Sequence, residues 1–404
     1  MKRELYERIW RELSGEKPMV FLAGPRQAGK TTFARMVSST FANSVYFNWD
    51  LVTNKRLLVE KPTFFEEVNR KDSSTPLVIF DEIHKYKRWK NYLKGVYDEF
   101  SGRYKFLVLG SGRLNVFQKG GDSLAGRYFL FTLWPLTLGE LGGHRRPFKE
   151  FIKNPLEIED SGKSLESVWD LLSRVGGFPE PYLSGKETFY RKWSQGYGQQ
   201  LIREDIRNMT AIKDVDSMEV LFSLLSSRIG SPLSMASLSR DVQVSFNSIR
   251  DWLNIFESFF LVFRIPSWGK RISRAITKEK KLYLYDYAHI SNEARKFENM
   301  VAFELWRAVS NWNDLGLGDF GLHYVRNKEK EEVDFLITND NDPILLVEVK
   351  LSEATPAKSL LKFQSALNVP AIQLVNKPYI HKRVTNHGHQ ILITTASRWL
   401  ATLP

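Results

Sequence analysis

The chain has 404 residues, 43% of them apolar, and a formal net charge of +12, so two or three folded domains are expected. It contains no cysteine, which excludes disulfides, Fe–S clusters and Cys-ligated zinc. The positive excess attracts polyanions, with nucleic acid as first candidate; lysine enrichment for stability and anionic membrane surfaces are the other readings.

Residues 1–15 read as an amphipathic helix charged throughout, not as a secretory leader, and no apolar run is long enough to span a bilayer. A soluble, cytoplasmic protein with no membrane partner is expected. Met19-Val20-Phe21-Leu22-Ala23 reads as a buried parallel strand. Gly24-Pro25-Arg26-Gln27-Ala28-Gly29-Lys30-Thr31 follows it and opens, through Thr32, into a helix. This is a complete G-x4-G-K-T loop in the strand–loop–helix setting it needs, because backbone N–H groups at a helix N-terminus grip phosphate. Gly24 and Gly29 keep side chains away from the β-phosphate. Lys30 is expected to reach the β- and γ-phosphates of ATP, and the Thr31 hydroxyl to ligate Mg²⁺. Leu77-Val78-Ile79-Phe80 then reads as a strand ending in Asp81, placed to hold Mg²⁺, and Glu82, placed to orient the attacking water. Asp81-Glu82-Ile83-His84 resembles a DExH helicase box, but no other helicase motif accompanies it, so His84 reads as structural.

Strands are expected at 18–23, 44–48, 77–80, 105–110 and 127–133, with helices at 30–41, 86–101 and 135–142. Alternation of this kind predicts a doubly wound parallel α/β sheet. The strand ending at Gly110 presents Ser111, a candidate contact to the γ-phosphate or lytic water, although Ser-Gly is also ordinary turn chemistry. Arg127 is a candidate transition-state clamp supplied to a neighbouring subunit, or a surface ion pair. Residues 143–165 read as a linker. Beyond it, 166–258 are mostly helical, and Ser234 to Val242 and Ser245 to Glu257 form two helices separated by a turn. With strands at 259–265 and 281–285 this is the plan of a winged helix-turn-helix. Its second helix offers Asn247, Ser248, Arg250 and Asp251, and its wing Lys270, Arg271, Arg274, Lys278, Lys280 and Lys281, as candidate DNA phosphate contacts. Packing of this module as a lid is the structural alternative.

The last segment is expected to hold a helix at 293–310, strands at 321–326, 332–338 and 343–350, a helix at 356–367, strands at 370–375 and 389–394, and a closing helix. Glu298 sits on the helix, Asp334 in the second strand, and Glu348-Val349-Lys350 ends the third. Period-2 spacing puts Glu348 and Lys350 on one face. Helix-Glu, strand-Asp, then Glu-x-Lys is the order of PD-(D/E)xK nucleases. Asp334 and Glu348, with Glu298 and Lys350, are therefore a candidate site for a second Mg²⁺ or Mn²⁺; an ion pair between Glu348 and Lys350 is the plainer reading. Gly316-Leu317-Gly318-Asp319-Phe320-Gly321 follows a polar loop and reads as a turn. His381, His387 and His389 lack a carboxylate orienter and read as solvated.

The loop Gly24–Thr32, Phe80-Asp81-Glu82-Ile83-His84-Lys85 with Trp89, Gly110-Ser111, Ser123 to Arg127 and Trp134 to Glu140 together resemble the prokaryotic AAA+-superfamily ATPases that bear a C-terminal domain of unknown function. Gly176 to Glu180, Arg203-Glu204-Asp205 and Lys281 to Asp286 are similar to that second domain. The resemblance covers nearly the whole chain. It departs at Asp286-Tyr287-Ala288-His289, where Asp-Thr-Gly-Leu is usual. It implies an AAA+-type P-loop domain over 1–145, a helical and winged-helix domain over 166–285 and a restriction-endonuclease-like α/β domain over 286–404. The expected function is a Mg²⁺-dependent ATPase that binds and remodels or translocates duplex or branched DNA as a homo-oligomer, with a ring as candidate assembly. Two alternatives stay open: an ATP-dependent signalling or defence switch with a non-catalytic nuclease-like domain, and an ATP-gated DNA nuclease.

Overall fold

The computed structural model describes residues 2–110, 124–142, 145–158, 165–207, 214–269, 279–353, 355–386 and 388–404. The chain divides into two units, Met1–Pro135 with Ser258–Phe260, and Leu136–Glu257 with Leu261–Pro404.

In the first unit α1 (Glu4–Glu16) leads into β1 (Met19–Ala23), α2 (Lys30–Ser38), β2 (Ser44–Asn48), α3 (Val52–Glu60), β3 (Leu77–Asp81), α4 (Trp89–Phe100), β4 (Lys105–Leu109) and β5 (Phe129–Thr132). The strands form one parallel sheet in the order β2-β3-β4-β1-β5. β1 and β3 are buried at every residue, as uninterrupted apolar strands must be when helices cover both faces. The expected parallel α/β sheet is what forms, and β4 lies between the two strands that carry the phosphate loop and Asp81. Beneath them Phe65 makes near-perpendicular contacts with Phe80, Phe100, Tyr104 and Phe106, an arrangement that favours ring edge over ring face.

The second unit begins with α5 (Leu138–Gly142), α6 (Phe148–Lys153), α7 (Glu166–Val175), α8 (Pro179–Ser184) and α9 (Glu187–Gln200), the last continued by a π-helical turn at Leu201–Ile206. Then come α10 (Val215–Leu225), α11 (Met235–Val242), α12 (Phe246–Ser258), β6 (Val262–Ile265) and β7 (Lys281–Leu284). Asp214 caps α10 and Ser234 caps α11 by accepting from the third backbone N–H onward, which fixes both helix starts. β6 and β7 pair antiparallel, and Pro232 bridges to Lys281. Three helices closed by this hairpin are a winged helix.

A long helix, α13 (Glu293–Asp314), backs a six-stranded mixed sheet. Its strands are β8 (Phe320–Arg326), β9 (Glu332–Asn339), β10 (Asp342–Lys350), β11 (Ala371–Val375), β12 (His381–Asn386) and β13 (His389–Thr395), with α14 (Lys358–Leu367) between β10 and β11 and α15 (Ala396–Leu400) at the end. β8, β9 and β10 run antiparallel, whereas β10, β11 and β13 run parallel. Buried Asn299 on α13 bonds both the N–H and the C=O of Leu284, each at 2.8 Å. That satisfies the outer edge of β7 and ties the hairpin to the helix. Among the described residues, no helix is long and apolar enough to cross a membrane.

Candidate functional site

The phosphate loop takes the shape its glycines were expected to allow. Gly24 has φ +143° and Gly29 +93°, and Gln27 between them is left-handed at +62°. A Cβ on Gly24 would stand 2.3 Å from the carbonyl oxygen of Leu133, so no larger residue fits. Lys30, the first residue of α2, is buried and donates to the carbonyls of Gly24 at 2.9 Å and Pro25 at 2.7 Å. Its ammonium thus lies curled against the loop that would surround a phosphate.

Thr31 Oγ donates to Asp81 Oδ2 at 2.8 Å. Loop and strand end therefore meet, as two metal-holding groups should. A second donor was not foreseen: Tyr46 on β2 gives its hydroxyl to the same Oδ2 at 2.5 Å. Burial pushes the Asp81 carboxyl above its ordinary range; the Tyr46 and Thr31 hydroxyls and the Lys30 charge oppose the rise, while Glu82 adds to it. A desolvated carboxylate held by neutral hydroxyls is a group that gains from a cation. Thr31, Asp81 and Lys30 thus fit Mg²⁺ and a triphosphate. Tyr46 escaped notice because the register that sets β2 beside β3 is a tertiary fact.

Glu82 follows in a left-handed conformation, φ +56°. Its Oε2 lies 3.2 Å from Lys85 Nζ and 3.5 Å from Nε2 of buried His84. Lys85 also pairs with Asp50 at 2.7 Å. Arg3 is another unforeseen participant. It is buried, and it donates to Trp134 O at 2.7 Å and Ala28 O at 3.4 Å, bracing the loop from outside. Ser111 lies outside the described residues. Arg127 forms a forked ion pair with Asp98 on α4, 2.7 and 3.2 Å.

In the second unit Val347 pairs with Phe335, which sets Glu348 beside Asp334 at the next step of the ladder. Asp334 Oδ2 accepts from Val349 N at 2.9 Å. Glu348 Oε1 pairs with Lys350 Nζ at 2.6 Å, and its Oε2 is buried with no hydrogen-bond partner among the described residues. Glu298 on α13 completes the group, so the four residues singled out from the sequence do converge. The unexpected member is Lys281. As a wing residue it was a candidate phosphate contact, but its side chain is 1% exposed and its Nζ lies 2.6 Å from Glu332, 3.3 Å from Glu298 and 3.4 Å from Asp334. That reading is corrected: the alternation of β7 turns Lys281 inward. Among the described residues, no three His, Asp or Glu side chains form a metal-holding set. With both Asp334 oxygens engaged and an ammonium among the carboxylates, the donor set does not fit a second divalent ion as it stands.

On α12, Asn247, Arg250 and Asp251 are exposed and Ser248 is half-buried. Arg250 Nε sits 3.1 Å from Asp251, which cancels part of its charge toward a phosphate. Lys270, Arg271, Arg274 and Lys278 of the wing lie outside the described residues, as does His387.

Strand order, loop shape and the Thr31–Asp81 contact define the first unit as a P-loop nucleotide-binding domain. Residues 16–142 match the family model described as an AAA domain, and the unit is a P-loop ATPase domain of AAA type. Residues 167–296 match a domain of unknown function (DUF8612) and residues 294–393 another (DUF4143). The uncharacterized protein MJ1544 of Methanocaldococcus jannaschii is 23% identical over 369 residues, 87% of this chain and 79% of its own. The uncharacterized protein Rv2008c of Mycobacterium tuberculosis is 24% identical over 349 residues, 85% of this chain and 72% of its own. Among solved structures, the Walker-type ATPase PABY2304 of Pyrococcus abyssi aligns with TM-score 0.45 and 13% identity over 70% of this chain and 93% of its own.

Proposed function

We propose that this protein is a Mg²⁺-dependent ATPase that couples hydrolysis to the handling of DNA. The observation that carries the ATPase half is the 2.8 Å contact of Thr31 with Asp81 beside Lys30. In this reading Lys30 turns from the Gly24 and Pro25 carbonyls to the β- and γ-phosphates, and backbone N–H groups from Gly24 to Thr32 surround them. Thr31 and Asp81 hold Mg²⁺, which neutralises phosphoryl charge when bound. Glu82 orients and polarises the attacking water, with Lys85 and His84 setting its direction. Ser111 senses the γ-phosphate. Arg127 serves a neighbouring copy once its pair with Asp98 opens, which makes hydrolysis depend on homo-oligomer formation. The DNA half rests on the winged helix and the charge of +12, with Lys270, Arg271, Arg274 and Arg250 as phosphate contacts.

The test is a pair of variants. Lys30→Ala loses nucleotide binding, whereas Glu82→Gln binds ATP and turns over about 10²–10⁴-fold more slowly; normal hydrolysis by Glu82→Gln removes the assignment. Stimulation of ATPase activity by single-strand, duplex and branched DNA tests the second half. A second reading, an ATP-driven switch with a non-catalytic nuclease-like domain, is favoured by Arg127 being engaged within its own chain and by Lys281 among the C-terminal carboxylates. Sizing with a non-hydrolysable ATP analogue separates them: a ring favours the motor, a monomer the switch.

A further inference from the structure

The winged helix and the C-terminal sheet meet at a group of charges that neither needs alone. Lys281 opens β7, the strand that closes the hairpin, and its backbone also bridges to Pro232. Its side chain crosses to Glu332 and Asp334 on β9 and Glu298 on α13. Tyr283, two residues on and so on the same face, donates its hydroxyl to Glu298 at 2.8 Å. The hydroxyl of Tyr324 on β8 donates to the carbonyl of Glu279, just before β7, at 2.6 Å. Apart from the Pro232 bridge, each of these contacts joins the hairpin to the C-terminal sheet or to α13, the helix that backs it.

We propose that the Lys281 ammonium is the resident cation of the Glu298–Glu332–Asp334 cluster, standing on the Asp334 side of the place where a nuclease-like domain would hold a divalent metal and locking the winged-helix hairpin to the C-terminal sheet. Three partly buried carboxylates drawn around one buried point require positive charge, because their mutual repulsion is less screened there than in water. In a metal-dependent nuclease that charge is a divalent ion with open coordination positions for substrate and water. Here it is a side chain on a fixed strand, with an Nζ–Oε1 distance of 2.6 Å to Glu332. Asp334 then has no free oxygen to offer: Oδ1 faces Lys281 and Oδ2 accepts from Val349 N. A divalent ion at Asp334 would lie against the ammonium, and like charges at such separation repel strongly in a buried setting. The lysine travels with the winged helix, so the cluster is a joint between two modules.

Mn²⁺ binding by the nucleotide-free full chain, followed by electron paramagnetic resonance, tests this. Wild type and Asp334→Asn should bind the same amount of Mn²⁺; a component of wild-type binding that Asp334→Asn abolishes would overturn the proposal. Lys281→Met should gain a Mn²⁺ equivalent that the added Asp334→Asn change removes. A folded Lys281→Met protein with no such gain also overturns it. If Lys281→Met fails to fold, the comparison of wild type with Asp334→Asn still decides. Limited proteolysis supplies the readout for the joint: Lys281→Met should be cut between the hairpin and α13 at least several-fold faster than wild type, and unchanged cleavage in the folded variant would remove the lock.

Discussion

Asp81 and Asp334 are both aspartates on strands, both largely buried, and both close to a lysine, yet their surroundings have opposite consequences. Asp81 is held by the hydroxyls of Thr31 and Tyr46, neutral donors that orient its negative charge without cancelling it. Asp334 is held by a backbone N–H and faces the Lys281 ammonium. The first arrangement leaves a demand for positive charge, whereas the second has already met it. Whether a carboxylate site calls for metal is therefore decided less by its acidic residues than by what donates to them.

The largest expected effect that separates the two follows from removing the cation. Lys281→Met leaves three partly buried carboxylates without their counter-charge; breaking a fully buried pair costs about 3–5 kcal/mol, which is the upper bound here because each carboxylate keeps some contact with water. Denaturant unfolding should show that loss. The reverse test removes the anion. Asp334→Asn leaves Lys281 under-compensated and should cost about 1–3 kcal/mol. Asp81→Asn removes a desolvated charge that no ion pair among the described residues holds and that Lys30 offsets only in part, so stability should stay within about 1 kcal/mol of wild type or rise, while ATPase activity is lost. Equal destabilisation by the two asparagine variants would break the comparison.

How much of this was legible beforehand follows the same division. The phosphate loop, the Asp81-Glu82 pair, the parallel sheet and the Glu298, Asp334, Glu348 and Lys350 set could be read because each is a local pattern: an apolar run, a glycine spacing, a carboxylate at a strand end. α3 was missed because Val52, Val59 and Leu57 are exposed, which gives it no apolar stripe facing a core. β12 was missed because its residues are mostly exposed and, among the described residues, it is an edge strand paired with β13, so no alternation marks it. Tyr46, Arg3 and Lys281 act through partners 35, 131 and 53 residues away. Their roles exist only once strands have found their neighbours. Lys281 carried a misleading local signal as well, since it ends a basic run and the pattern alone reads as solvated.

A smaller effect concerns pH. Burial raises the Glu298 carboxyl to about 7 against the opposing charge of Lys281, and burial likewise raises Glu304 to about 7 against Arg307. A folded-state pKa above the ordinary glutamate value means that the native protein binds the proton more tightly. The associated stability is full below about pH 4.5 and is lost as pH rises through 7, at up to about 1.4 kcal/mol per pH unit for each group. Glu304 lies outside the lysine-held cluster, where it accepts from Leu138 N at 2.7 Å. Glu304→Gln should therefore flatten the fall in melting temperature between pH 5 and 7 without abolishing it. The remaining slope should be shared by Glu298 and by Glu348, whose carboxyl burial raises to about 8, so the added Glu298→Gln change should flatten it further. A slope indifferent to both glutamines would place the proton elsewhere.

The smallest effect comes from Tyr46, and it bears on the other half of the comparison. Its hydroxyl meets Asp81 Oδ2 at 2.5 Å and is itself held above its usual pKa, by burial first and by Asp81 second. It therefore stays protonated and donating at any working pH. Tyr46→Phe keeps the ring, including its place 5.6 Å beneath the Arg35 guanidinium, and removes one donor. The loss of one hydrogen bond to a charged group is worth about 1.5–3 kcal/mol in principle, but Thr31 still donates to the same oxygen, so the lower end is expected. Steady-state ATPase titrations should show a rise of roughly tenfold in the Mg²⁺ concentration for half-maximal rate, if Tyr46 orients the carboxylate toward the ion. If the hydroxyl instead competes with the ion for Oδ2, its removal lowers that concentration. Either direction would show that the proton donors around Asp81 tune its affinity for a cation; an unchanged titration would mean that Thr31 alone sets the geometry.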